Sequence, residues 1–381
     1  MAWKNFWAWE VVNVIWSSWQ EEYMNSISSE NYIYSNGYRL WYIENEIVHY
    51  VLPDFEIIST FPIPKFRTKT YRLIFKEISS YSPDIIVTRT RFFLLSLFAG
   101  LWAKLHGIQW AHIEHGSSYV TLSSRFKNLI ARIYDQSIWR LVFVYADIVI
   151  PISGACQKFI EKFTSRKIEI IHRWMVFPDD LKPYRRENLQ KKFKWKRIVW
   201  FVWRLYKRKN VSSLIQARYE LHQNNAVEDI QLVIVWDWED SDVIKELDVQ
   251  NLIYFTGWVS FLESLAYQEQ FDIHVHSSWP WWWLASTLLQ GMGLWCTIVA
   301  TPYEWANEVI VNGDNGILLQ GSSVQDIKNG IIEAISLESE VIQSMRDKNY
   351  NIIINEFTRE TVISKYKYIF QKNMSADWVE I

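Results

Sequence analysis

Short β-branched runs alternate with longer stretches of helical apolar spacing along most of this chain, and that alternation constrains the fold more than any other feature. In the first half, DIIVTRT (84–90), IQWAHIEHG (108–116) and DIVIPIS (147–153) read as buried strands. Between them, FFLLSLFAGLWAKLHG (92–107) and the amphipathic SSRFKNLIARIYDQSIWRLVFVYA (123–146) read as helices, and GACQKFIEKF begins another. Strands each followed by a helix build a parallel sheet with helices on its faces. Upstream the pattern is weaker. EVVNVI (10–15) is expected to begin a helix, NEIVHYVLP (45–53) to be a strand, FPIPKFRTKTYR (61–72) a basic loop, and RLIFKEISSYSP (72–83) a helix.

Residues 185–197, RRENLQKKFKWKR, are charged and lack a long apolar run, so a linker is expected there. The alternation then restarts, with strands at 197–203, 231–236, 252–257, 272–278, 296–301 and 316–320 and a long helical tail. The chain therefore reads as α/β, with two doubly wound Rossmann-like domains and a cleft between them. Residues 1–180 form the first, 181–196 the linker and 197–350 the second, and a helix at 351–381 returns toward the first. Ligands of such sheets bind beyond the carboxyl ends of the strands.

The totals narrow the function. A formal charge of −2 with no basic half argues against a nucleic-acid binder. Cys156 and Cys296 stand far apart without a CxxC, which fits buried thiols in a reducing, cytoplasmic setting. No secretory-signal pattern opens the chain, and its longest apolar runs fall short of the roughly 20 residues that span a bilayer. One total is abnormal: 23 Trp stand beside only 12 Gly, where ordinary usage of about 7% Gly gives roughly 27 in this length.

The candidate chemistry sits at strand ends. In FVWRLYKRKN (201–210), Arg204 follows a strand and Lys209 precedes a helix start. Arginine forks onto phosphate and a helix N-terminus adds its dipole, so the pair suits a diphosphate; solvated loop cations are the alternative. LVIVWDWED (232–240) runs into a turn at Asp237, and YFTGWVS (254–260) ends a strand at Gly257. SSWPWWWLASTLLQGMGLWCTIVAT (277–301) and TPYEWANEVI (301–310) complete the series. HVH (274–276) puts two histidines on one strand face with no third ligand spaced nearby, so buried histidines are expected rather than a metal.

In order and spacing these pieces resemble the C-terminal domain of the GT-B fold family-4 glycosyltransferases, whose patterns are FVGRL…KG, LVIVGDG, FTGxVS, S..P.G…LLEAM..G.PVIAT and TPxGGxxEVI. The resemblance is good over about 145–365 and reaches the first half through SPDIIVTRT, AHIEHGS and ADIVIPIS. It implies a retaining, metal-independent enzyme that uses a UDP- or GDP-linked sugar as substrate, without a cofactor, and a glycan or lipid-linked acceptor in cell-surface polysaccharide synthesis. Arg204 and Lys209 would stabilise the departing diphosphate. Trp203, Asp237, Trp282, Trp283, Leu284, Gln290 and Glu308 fall at donor-binding positions, though Glu308 could equally cap structure. His115 would face the donor sugar or the acceptor, with Glu114 and Gly116 on the acceptor side, or else simply cap a strand end. His172 and Arg173, in IIHRWMVFP, match an interdomain turn.

Two departures stand out. The family's donor loop often carries two glutamates eight positions apart, and Trp282 and Gln290 occupy those places. Trp203, Trp236, Trp238, Trp295 and Trp305 occupy family glycines, and Trp282 and Trp283 lie in the glycine-rich loop, whereas Trp110 and Trp258 suit ordinary strand and turn positions. Some bacteria read UGA as glycine and others as tryptophan; a gene of the first kind translated by the second table gives this pattern. The start, MAWKNFWAWEVVN, resembles the family's first glycine-rich loop without the strand before it, as expected of a start assigned too late. The basic run Lys65, Arg67, Lys69, Arg72 and Lys76 offers peripheral contact with anionic lipid at the inner face of the plasma membrane, or is a solvated loop. A nucleotide-sugar epimerase of the same fold and a non-catalytic nucleotide-sugar-binding scaffold are the alternatives.

Overall fold

The computed structural model describes residues 13–16, 32–35, 38–44, 47–52, 54–58, 61–64, 75–76, 78–79, 83–91, 94–119, 125–166, 168–194, 196–202, 209–224, 227, 229–235, 252–279, 286–303 and 306–376. The chain divides into two compact units, one of residues 1–114 with 119–149, the other of 115–118 with 150–381.

In the first unit, β1 (Asn13–Trp16), β2 (Tyr32–Ser35), β3 (Tyr38–Glu44) and β4 (Ile47–Leu52) form a sheet in the order β1-β4-β3-β2. β1 runs parallel to β4, and β2, β3 and β4 are successively antiparallel. The helix expected to begin over 10–15 is thus replaced by a strand, where β-branched Val14 and Ile15 favour extended backbone. The expected basic loop opens instead as β6 (Phe61–Pro64), antiparallel to β5 (Asp54–Ile58). The residues before β1, where a first strand was expected to be missing, lie outside the described residues.

The next elements follow the sequence pattern. β7 (Ile85–Arg89), β8 (Gln109–Glu114) and β9 (Ile148–Pro151) form a three-stranded sheet in that order, with β7 and β8 parallel. Helix α1 (Leu94–Leu105) joins the first two strands. Helix α2 (Arg125–Tyr134), a π-helical turn at Asp135–Trp139 and helix α3 (Arg140–Tyr145) join β8 to β9.

The second unit is built on a six-stranded, wholly parallel sheet: β10 (Arg197–Val202), β11 (Ile230–Val235), β12 (Ile253–Phe255), β13 (Ile273–His276), β14 (Thr297–Ala300) and β15 (Ile317–Leu318). Its order, β12-β11-β10-β13-β14-β15, reverses direction between β10 and β13 and so has a switch point there. Successive strand residues enter opposite cores. Ile198, Trp200, Val233, Val235 and Ile298 pack on one face with Leu288, Leu289 and Met292 of helix α8 (Ser286–Gly293). Val199, Leu232, Ile234 and Val299 pack on the other with Leu214 and Ile215 of helix α6 (Val211–Gln223) and Ile327 and Ile331 of helix α10 (Val324–Ser336).

The charged segment read as a linker is docked on this unit. Helix α5 (Leu189–Lys192) puts Leu189 into the core, fully buried. Arg186 forks onto Glu263 at 2.6 and 2.9 Å, and Tyr267 Oη donates to Glu187 at 2.9 Å. The terminal helix α12 (Arg359–Ala376) is tied to residues 169–175 of the same unit: Met175 N donates to the Phe357 carbonyl at 2.7 Å, and Lys372 pairs with Glu169 at 3.4 Å.

Candidate functional site

The carboxyl edge of the six-stranded sheet gathers the polar groups that the sequence pattern singles out. β10 ends at Val202, and the chain is next described at Lys209, which is buried. Asn210 follows in the left-handed region, φ 56° and ψ 33°, a conformation that Asn tolerates better than most residues. Its Nδ2 donates to the Ser322 carbonyl at 2.7 Å, so α6 starts with no side-chain cap on its first-turn N–H groups. A helix start of that kind is a ready acceptor of anionic oxygens.

The neighbouring strand closes on the same place. After β13, Ser277 Oγ donates to the Lys209 carbonyl at 3.0 Å, stitching the two sides of the switch point together. After β14, Thr301 Oγ1 donates to the Ser278 carbonyl at 2.9 Å, and Thr301 N to that of His276 at 2.9 Å. Among the described residues, buried Ser278 Oγ and Asn210 Oδ1 make no hydrogen bond. His276 is buried, and burial, then Lys209, then His274 push its imidazole well below its ordinary range, so it is neutral. Burial likewise pushes His274 down to about 3, and its ring lies 4.3 Å from that of Trp200. Both histidines of HVH are core residues, and among the described residues no His, Cys, Asp and Glu cluster could hold a metal.

The remaining expected site residues fall as follows. Gln290 is buried and its Oε1 accepts from Gln268 Nε2 at 3.3 Å. The Glu308 carboxylate accepts from the backbone N–H groups of Gly154 and Ala155, each at 2.7 Å, and so caps helix α4 (Gly154–Ile160) beside Ser153, whose Oγ accepts from Cys156 N at 3.1 Å. An added Cβ at Gly154 would lie 3.2 Å from Glu308 Oε2, so the carboxylate would have to give by a few tenths of an ångström. The Gly116 carbonyl accepts from Cys156 Sγ at 3.4 Å, and His115 beside it is half-buried. Glu114, in the first unit, is fully buried, paired with Arg91 at 3.0 Å and with His112 at 3.3 Å. His172 is held by the Ile152 carbonyl through Nδ1 at 2.9 Å. Both cysteines are free and buried, and burial pushes Cys296 up to about 12. Trp203, Arg204, Asp237, Trp282, Trp283 and Leu284 lie outside the described residues.

Sequence reasoning missed Asn210, Ser277 and Thr301. Asn before a helical run is a usable signal, because few other residues accept a left-handed turn there. The two hydroxyls act on carbonyls of adjacent strands, and nothing in the linear sequence announces that.

Tryptophans divide by fit. Trp110 is buried, with Nε1 donating to Thr88 Oγ1 at 2.8 Å. Trp295 sits in a left-handed turn, φ 61°, after α8, and the following Cys296 N donates to the Gly291 carbonyl at 3.0 Å. That is the pattern of a helix stop whose left-handed position is normally glycine.

Residues 185–352 match the family model described as Glycosyl transferases group 1. The chain is 39% identical over 337 residues to the uncharacterized glycosyltransferase MJ1069 of Methanocaldococcus jannaschii, covering 86% of this chain and 85% of that protein. In fold it is similar to Anabaena Alr3699/HepE, solved in complex with UDP, with a TM-score of 0.65, 16% identity, and 85% and 86% of the two chains covered. It is likewise similar to the sucrose-phosphate synthase of Thermosynechococcus elongatus, with a TM-score of 0.66, 14% identity, and 90% and 87% covered. The fold is GT-B.

Proposed function

The chain belongs to the group 1 glycosyl transferases, and on that premise we propose that it moves a sugar from a UDP- or GDP-linked donor to a glycan or lipid-linked acceptor, with retention of configuration, in building cell-surface polysaccharide. The observation that carries the donor side is the side-chain-uncapped start of α6 at the sheet's switch point, with Lys209 buried beside it. Fixed dipoles and a cation aimed at a leaving diphosphate lower the barrier where charge develops. Lys209 and Arg204 take that role, and His115 takes the sugar or acceptor side. The complex of Alr3699/HepE with UDP favours a uridine donor. The setting is cytoplasmic, with peripheral membrane contact where the acceptor is lipid-linked; among the described residues no helix is long and apolar enough to cross a membrane.

The test is a panel of UDP- and GDP-sugars incubated with the full chain, with and without lipid and glycan acceptors, following nucleotide release and product anomer. Acceptor-dependent release with a retained anomer is the expected result. Hydrolysis alone, or binding with no turnover, would favour a non-catalytic nucleotide-sugar binder. One observation favours that second reading: Gln290, at a position where the family carries a donor-site glutamate, is bonded to Gln268.

We also propose that many of the tryptophans are glycines in the native host. The left-handed Trp295 supports this, whereas the buried, hydrogen-bonded Trp110 is a genuine tryptophan. Mass spectrometry of the native tryptic peptide 198–204 decides it: glycine is expected at 203, a family glycine position, and tryptophan there would overturn it.

A further inference from the structure

An amphipathic helix normally turns its apolar stripe to the core. The run from α2 through α3, residues 125–145, carries a second stripe that faces solvent. Its inner side is filled by Trp139, Val142 and Phe143, all buried. Outward, at steps of four, stand Leu129, Ile133, Ser137, Leu141 and Tyr145, exposed by 56% at Leu129 and 59% at Ile133. A parallel row carries Arg132, Gln136, Arg140 and Val144, all exposed. The run is roughly 30 Å long at 1.5 Å per residue. Scattered exposed apolar residues need no explanation, but an ordered stripe of this length does.

Charge identifies the occupant. The 21 residues hold four cations, Arg125, Lys127, Arg132 and Arg140, against one acid. That acid, Asp135, is buried and paired with Arg91 at 3.5 Å, so it does not offset the outward arginines. The exposed stripe is therefore apolar and cationic. Arg132 also lies over the Tyr119 ring, 5.0 Å from its centroid, an arrangement that keeps the guanidinium beside apolar surface.

We propose that this face lies on an anionic membrane surface, with Leu129, Ile133, Leu141, Val144 and Tyr145 entering the headgroup boundary and Arg132 and Arg140 meeting lipid phosphates. Long basic side chains among apolar ones suit that boundary, where stems are dry and heads are wet. Spanning is excluded for this run by Arg132, Asp135 and Arg140 in its middle. A second copy is the poorer fit, because a two-fold contact sets the same patch on both subunits and brings arginines against arginines. The inference deepens the peripheral contact proposed above, and moves it from the 61–76 loop to this helix.

The experiment is flotation of the full chain with phosphatidylcholine vesicles, with and without phosphatidylglycerol, at low and high salt. Wild type is expected to float with the anionic vesicles, less so at high salt, and to stay behind with the neutral ones. Leu129→Ser with Ile133→Ser, and separately Arg132→Gln with Arg140→Gln, should each reduce binding on the order of tenfold, whereas Val341→Ser, exposed on another helix, should not. All the altered side chains are solvent-exposed, and circular dichroism and UDP binding on each variant check that the fold and donor side persist. Flotation lost with UDP binding retained supports the membrane face whatever becomes of the transferase reading. No flotation of wild type, equal flotation with neutral vesicles, or variants that float like wild type would overturn it. So would a dimer by light scattering that the Leu129 and Ile133 changes dissociate, which assigns the face to a second copy.

Discussion

Glu308 and Gly154 lie 154 positions apart in sequence and meet at 2.7 Å, carboxylate to backbone N–H, with Ala155 N–H on the second oxygen at the same distance. A family position expected to touch the donor is thus occupied in closing a helix start. Each carboxylate oxygen accepts one N–H and keeps a further lone pair, so capping and contact with a donor hydroxyl are compatible.

The two roles separate on substitution. Glu308→Ala removes two charge-assisted bonds from the start of α4, while Ser153 keeps a third cap bond in place. A loss of about 1 kcal/mol in urea unfolding is expected. If capping is the whole role, the dissociation constant for UDP stays at the wild-type value in calorimetry. A tenfold weaker UDP with unchanged stability would place Glu308 on the donor instead.

Trp295 offers a cleaner contrast. A non-glycine residue in the left-handed region costs about 1–2 kcal/mol, which in Trp295, 40% exposed, is set against the packing of its ring on Tyr350, 5.2 Å between centroids. Trp295→Gly relieves the strain and loses that packing, so the urea midpoint should move by no more than about 1 kcal/mol in stability. Trp110→Gly should cost about 3–5 kcal/mol, since it empties a fully buried site and leaves Thr88 without its donor. Equal effects of one sign at the two positions would refute the division of tryptophans by fit.

The same contrast explains what was legible. Strands of a parallel sheet are covered on both faces and so write continuous β-branched runs; Ile148–Pro151 and Ile230–Val235 stood out for that reason. The β2–β3 hairpin was missed although Asn36-Gly37, a strong turn dipeptide, separates the paired Ser35 and Tyr38. The aromatic and polar residues around it gave no clean alternation. Docking of 185–192 was invisible because its anchors are ion pairs and tyrosine hydroxyls on Arg186 and Glu187, which read in sequence as a solvated linker. At the site, Lys209 could be read from its place before a helix. Ser277 and Thr301 could not, because their bonds to the Lys209 and Ser278 carbonyls depend on the register of strands far apart in sequence.

That docking makes a pH prediction. The Arg186 guanidinium, helped by the Ser260 backbone N–H, holds the Glu263 carboxyl at about 2 against an ordinary 4.5. The folded value lies below the unfolded one, so the unfolded chain binds the proton more readily in acid. The contribution is present above about 4.5 and is lost as pH falls toward about 2. Glu263→Gln keeps a usable residue at the third position of helix α7 (Phe261–Gln268) but has nothing to titrate. Urea midpoints taken down through that window should fall less steeply for the variant than for wild type. Parallel curves would mean that the Arg186 pair contributes nothing to acid lability.

Lys209 carries the most exposed prediction about function. Its carbonyl is fixed by Ser277, and its side chain is buried next to a neutral His276 and the start of a helix with no side-chain cap. Lys209→Met keeps the length and apolar stem, so the fold should survive. Binding of UDP should weaken by about tenfold or more, since a charge-assisted contact to phosphate is lost, while uridine, which has no phosphate, should bind the variant and wild type alike. If UDP and uridine weaken together, Lys209 shapes the pocket rather than meeting the diphosphate. If neither weakens, the diphosphate is held elsewhere, and the switch point between β10 and β13 is not the donor site.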